Sequence, residues 1–260
     1  MRLARIRRGA ERSSQADGGV SRHRSPRGVL SAEELGESPL FPALAIIGAA
    51  TLYATLPTRF VVGSSAGIFS VARWLIPALT AVLLVVLLLS VPQGRVARLL
   101  DLPTHRIRVG RRIAVLTVTG IISAANAASI IWLVHLLVNG AQTHASQLLR
   151  AGIHMWCLNV VVFALWFWEL DSGGPRSRLE LGHAERDFMF PQQLQPEPDW
   201  ATWRPLFLDY LYLSFTNATA FSPTDAMPFS RWAKMLMLVE SAASLLLAIM
   251  VVARAVNILK

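Results

Sequence analysis

Apolar residues in this chain gather into runs far longer than a soluble core needs. Six stretches stand out, at about residues 39–56, 71–91, 113–138, 146–168, 205–221 and 232–257. A helix rises about 1.5 Å per residue, so about 20 apolar residues cross the roughly 30 Å hydrocarbon layer of a bilayer. The pattern therefore predicts an all-α, polytopic helical membrane bundle of about six transmembrane helices. Pro57 closes the first run, and Pro77 near the start of the second is expected to kink it. In the third run Gly120, Ala124 and Ala128 recur every four residues, which predicts close packing against another helix. Trp166 and Trp168 end the fourth run and are read as interfacial anchors.

Composition agrees with the pattern. Of the 260 residues, 53% are hydrophobic and 16% charged, and the mean hydropathy is +0.46. The net charge of +9 sits almost entirely outside the apolar runs. It is read as a device for membrane orientation, with no nucleic-acid partner. Residues 1–37 are rich in Arg, Ser and Gly, bury little, and are expected to form a disordered basic cytoplasmic tail preceding a transmembrane domain at 38–260. Residues 93–112 hold Arg95, Arg98, Arg106, Arg108, Arg111 and Arg112 against the single acid Asp101. Arginine-dense short loops stay in the cytosol, so the chain is placed in the cell membrane with both termini cytoplasmic. In the longest loop, residues 171–203, Phe188, Phe190, Trp200 and Trp203 are expected at the headgroup level.

The remaining chemistry lies in the last two runs. Asp209, Tyr212, Thr216 and Thr219 fall three or four residues apart and share one helix face, with Ser214 and Asn217 flanking it. On the sixth run Glu240, Ser244 and Arg254 share a face. Charges are costly in hydrocarbon, so Asp209 and Glu240 are expected to look into the bundle. His154 would lie at the depth of Glu240 and within its reach, and Asp209 could meet Arg254 only through a short or tilted fifth segment. Asn126 and Asn159, deep in the third and fourth runs, are read as helix-to-helix glue.

Residues 209–225 resemble, in frame and without gaps, the pore helix and filter of two-span potassium channels. Tyr212, Ser214, Phe215, Thr216 and Thr219 stand at the positions that carry the likeness, and Asp225 falls on the acid that closes the filter. The likeness continues into the inner helix through Leu238-Val239-Glu240 and Val252-Ala253-Arg254. The whole hairpin, about a fifth of the chain, is also similar to the C-terminus of a family of uncharacterised bacterial integral membrane proteins. The filter departs from the pattern. Phe221, Ser222, Pro223 and Thr224 stand where glycines would turn consecutive carbonyls inward. Pro223 fixes its own backbone angle and has no N–H. The resemblance therefore implies a channel-like hairpin without potassium selectivity. A channel hairpin dips into the membrane and returns; the arginine count instead favours a full crossing by residues 205–221.

Other classes find no support. Glycine-rich phosphate loops, zinc-protease helices and nucleophile elbows are missing, so no enzyme activity, cofactor or catalytic residue is expected. The lone Cys157 excludes an intrachain disulfide, and His135, His144 and His154 gather no carboxylate that would complete a metal site. Two readings stand. One is a channel-like protein passing a small cation or proton along Asp209, Tyr212, Thr216, Asn217, Thr219, Glu240 and Ser244. The other is a non-conducting scaffold or accessory subunit. The bilayer is the partner of both, and both leave room for a homo-oligomer.

Overall fold

A computed structural model describes residues 40–56, 77–79, 81–82, 104–139, 144–175, 177–178, 186–194, 203–219 and 226–258. The basic tail, most of the second apolar run and the filter-like residues Phe221, Ser222, Pro223, Thr224 and Asp225 lie outside them. Five helices carry the fold: α1 Leu40–Thr55, α2 Thr104–Val138, α3 Ala145–Leu170, α4 Phe207–Thr219 and α5 Arg231–Ile258. Two short strands, β1 Phe188–Met189 and β2 Met227–Pro228, pair antiparallel, Phe188 opposite Pro228 and Met189 opposite Met227. The protein is mostly helical, as the hydropathy pattern predicts. Three of the described helical segments are long and apolar enough to cross a membrane: Arg112–Val138, Ser146–Gly173 and Arg231–Arg254; Leu40–Thr55 is a shorter apolar helix.

Helix α3 is the hub, packed against α1, α2, α4 and α5. Its register with α5 is close and regular. Asn159 bonds Ser244, and seven residues further along Gly152 meets Val251. A Cβ on Gly152 would lie 2.7 Å from Val251 Cγ2, so only a hydrogen lets these backbones approach. Helix α2 also runs antiparallel to α3: Gly120 seats the ring of Trp166, whose Nε1 donates to Ser123 Oγ at 2.7 Å, and Asn126 reaches Asn159. Trp166 and Trp168 thus serve the interior, not the interface; Trp168 is buried. Of the predicted small-residue face, Gly120 takes part in packing, whereas Ala124 is exposed.

The direction of α4 bears on the predicted topology. Helix α4 has 13 residues, a rise of about 20 Å, short of the roughly 30 Å needed. Its start lies at the C-terminal end of α3: Phe207 meets Trp168, and the Tyr210 hydroxyl donates to Asp171. Further along, Ser214 touches the Val160 carbonyl and Phe215 meets Trp156, near the middle of α3. Helix α5 begins at the same end as α4, because Trp232 Nε1 donates to Asp187 at 2.8 Å while Ser172 N, just past α3, donates to the same carboxylate at 3.0 Å. So α4 and α5 both run antiparallel to α3 and start together. Helix α4 ends beside the middle of α3, whereas Met227 and Pro228, paired with β1, lie at the end where α4 starts. The described part of the predicted fifth crossing, α4, therefore runs about half the length of α3. Tyr53, near the end of α1, faces Ser129 in the other half of the bundle, whereas α1 also touches the half-length α4. Ile258, at the far end of α5, lies at the end of the bundle opposite the start of α4.

Candidate functional site

Two polar systems flank α4. The first is buried. Glu240 is fully inaccessible, with Ser214 and Asn217 of α4 turned onto it. One carboxyl oxygen meets Ser214 Oγ; the other accepts from Asn217 Nδ2 at 2.6 Å. The same amide reaches the Met237 carbonyl at 2.9 Å, and Ser241 Oγ donates to Asn217 Oδ1 at 2.9 Å. One turn beyond Glu240, Ser244 accepts from Asn159 Nδ2 at 3.0 Å, and Asn126 Nδ2 donates to Asn159 Oδ1 at 3.3 Å. These groups link α2, α3, α4 and α5. Glu240 is closed to water, and within the network Asn126 Oδ1 is a buried acceptor without a partner among the described residues.

The second system faces outward. A small cleft of about 60 Å³ is lined by Phe190, Pro191, Gln192, Asp209, Tyr212, Leu213, Thr216 and Ala226. Tyr212 is 56% exposed, with Leu208 and Phe215 exposed on either side. Thr216 Oγ1 bonds the Tyr212 carbonyl at 2.9 Å and Thr219 Oγ1 the Thr216 carbonyl at 2.9 Å, so both hydroxyls are satisfied on their own helix. Asp209 accepts from Leu206 N at 2.7 Å, the back-bond of a capping box, in the first turn where a negative charge suits the helix dipole.

The predicted polar face is therefore divided. Asn217, Glu240 and Ser244 come together inside, while Asp209, Tyr212, Thr216 and Thr219 lie on the other side of α4. Glu240 looks into the bundle, as expected of an ionisable group; Asp209 is only half-buried and turned to the cleft. His154 does not meet Glu240. Its Nδ1 contacts the Arg150 carbonyl at 2.7 Å, and the α3–α5 register sets His154 well beyond Glu240. Arg254 lies toward the far end of α5, out of reach of Asp209.

Sequence reasoning missed a third cluster, where α3 ends. Ser172, Gly173 and Gly174 take positive φ values of 53°, 79° and 103°, which turn the chain back over the bundle. A non-glycine residue at such an angle costs on the order of 1 kcal/mol or more. Ser172 is held there by its N–H to Asp187 and its hydroxyl to Asp171. Asp171, 1% exposed, also accepts from the N–H groups of Asp187 (3.1 Å) and Phe188 (3.3 Å) and from the Tyr210 hydroxyl. Arg178 donates to the carbonyls of Trp168 (2.7 Å) and Asp171 (3.0 Å) and lies 5.0 Å from the Tyr210 ring centre. Phe188 and Phe190, expected at the headgroup level, are buried in an aromatic cluster with Phe167, Tyr210 and Trp232. The mixed charges of the loop were the available signal, but no spacing in the sequence says which of them turn inward.

The fold and these clusters define a mostly helical protein with helices suited to a membrane and a half-length helix packed beside a full-length one. Comparisons with known protein families, with curated proteins and with solved structures find no match. Among the described residues no group of three metal-ligating side chains gathers.

Proposed function

We propose that this chain is a channel-like integral membrane protein that passes a small cation or proton beside α4. The observation that carries the reading is the shared starting end of α4 and α5, with α4 stopping at mid-depth. Backbone that leaves a helix within the hydrocarbon must be covered by protein or must line water, because its polar groups find no partner in lipid. A hairpin of this form supports an aqueous path beside α4, with Asp209, Tyr212 and Thr216 along its wall. The outward position of that face favours a path completed by further copies of the chain. The likeness of residues 209–225 to a pore helix, noted from the sequence alone, points the same way. The arginines at the start of α2 favour a cytoplasmic position for the end at which α4 starts, so α5 would deliver the C-terminus to the other side.

The second reading, a non-conducting scaffold or accessory subunit, is favoured by one specific observation. The network around Glu240 is closed, and polar contacts of that kind serve helix packing at well under about 1 kcal/mol each. Flux decides between the two. Liposomes containing the purified protein should pass protons or a monovalent cation down a gradient, and Asp209→Asn should change the rate several-fold. Flux indistinguishable from protein-free liposomes across protons, sodium and potassium would reject conduction and leave the scaffold.

A further inference from the structure

The hydrogen-bond count at Glu240 does not balance for a carboxylate. Ser214 Oγ lies 2.7 Å from the Val160 carbonyl and also contacts a carboxyl oxygen of Glu240. A carbonyl oxygen and a carboxylate oxygen are both acceptors, and a serine hydroxyl has one proton to give. With Glu240 ionised, one of the two contacts sets acceptor against acceptor. With a proton on Glu240 every contact is used: the acid donates to Ser214 Oγ, Ser214 donates to the Val160 carbonyl, and Asn217 Nδ2 donates to the second carboxyl oxygen. The two groups bonded to Glu240, and the groups of the surrounding network, support the same assignment. Helix α4 offers Ser214 and Asn217, α3 offers the Val160 carbonyl and Asn159, and α5 itself offers Ser241 and Ser244. None of these carries a charge, and among the described residues no cation is paired with Glu240. An unpaired carboxylate inaccessible to water is costly, and a neutral acid removes most of that cost.

We infer that Glu240 is a proton-binding site, held in the resting protein as a neutral carboxylic acid that donates to Ser214. The inference goes beyond the proposed function and stands whether or not the protein conducts. It also separates two kinds of cargo. A neutral acid with its oxygens already engaged is no ligand for a metal cation, whereas it can hold and release a proton.

Infrared difference spectroscopy of the full-length protein in detergent at neutral pH tests the assignment. Subtracting the Glu240→Gln spectrum from the wild-type spectrum should leave a protonated-carboxyl carbonyl band. Asp209→Asn should leave that band in place. Glutamine is a close replacement, since its Nε2 can donate to Ser214 and its Oε1 can accept from Asn217. Should Glu240→Gln nonetheless fail to fold, Ser214→Ala supplies an independent reading: the same band should move to higher frequency as its hydrogen-bond partner is lost. A difference spectrum showing only carboxylate bands, or a protonated-carboxyl band indifferent to Ser214→Ala, would overturn the assignment.

Discussion

Removing the Asp171 carboxylate should destabilise the protein more than removing any one of its partners. In the wild type that carboxylate accepts from four donors: the Tyr210 hydroxyl, the Ser172 hydroxyl and the N–H groups of Asp187 and Phe188. Alanine at this position leaves Tyr210 and two backbone amides without their acceptor in a site closed to water. Each buried donor left unmade costs about 1–3 kcal/mol. The serine hydroxyl can turn elsewhere and the aromatic cluster can relax, so a total on the order of 4 kcal/mol is expected for Asp171→Ala. Tyr210→Phe removes one donor and leaves the carboxylate with three, so about 1–2 kcal/mol follows. Asp171→Asn keeps an acceptor for the amides and should fall between the two. In a chain of this size 1 kcal/mol moves the melting midpoint by roughly 2–4 °C, so Asp171→Ala should lower it on the order of 10 °C. Thermal unfolding in detergent, scanned at one fixed rate, gives the ranking. A loss for Asp171→Ala no larger than that for Tyr210→Phe would refute the view that this carboxylate ties the loop and α4 to the end of α3.

Two further outcomes follow from the helix contacts. Gly152→Ala should cost about 1–3 kcal/mol through overpacking against Val251, and adding Val251→Ala should restore most of the loss; equal melting midpoints for wild type and Gly152→Ala would remove the α3–α5 contact from the account. Single cysteines at Leu194 and Phe229, introduced with Cys157→Ala, should react with a membrane-impermeant thiol reagent from one face of the membrane and a cysteine at Val256 from the other; Leu194 and Phe229 reacting from opposite faces would restore a full crossing by residues 205–221.

Helical class was legible because the apolar runs are long, and α2, α3 and α5 fall where hydropathy places them. The half-length of α4 was not. Residues 205–221 are apolar enough in sum, and no rule of periodicity tells a helix that stops at mid-depth from one that continues. The local signal for the start of α4 is Asp209, three residues after Leu206, whose amide it caps; nothing comparable in the sequence marks its end. The arginine count concerns which loops share a side. The polar stripe was read correctly as a helix face, but a face has two possible sides. Leu213, Ser214 and Ala218 are buried and Tyr212 is exposed, so packing against α3 and α5 chose the other side. Asp171 escaped because its importance rests on backbone donors contributed from residues fifteen or more positions away.

A helix that stops halfway along its neighbours also explains why polar groups collect where they do. A full-length helix is held at both ends of the bundle, but α4 reaches only one. Its outer end is held at Asp171 through Tyr210 and by the packing of Phe207 on Trp168. Nothing at a membrane surface can hold its inner end. That task falls to contacts at depth: Ser214 to Glu240 and to the Val160 carbonyl, Asn217 to Glu240 and to the Met237 carbonyl, and Ser241 back to Asn217. Apolar packing alone would leave such a helix free to slide, since lipid tails are as apolar as its neighbours. Directional bonds set its depth and rotation. The closed network and the outward cleft are then parts of one arrangement: the first fixes α4 so that the second, with Asp209 and Thr216 in its wall, keeps a defined shape.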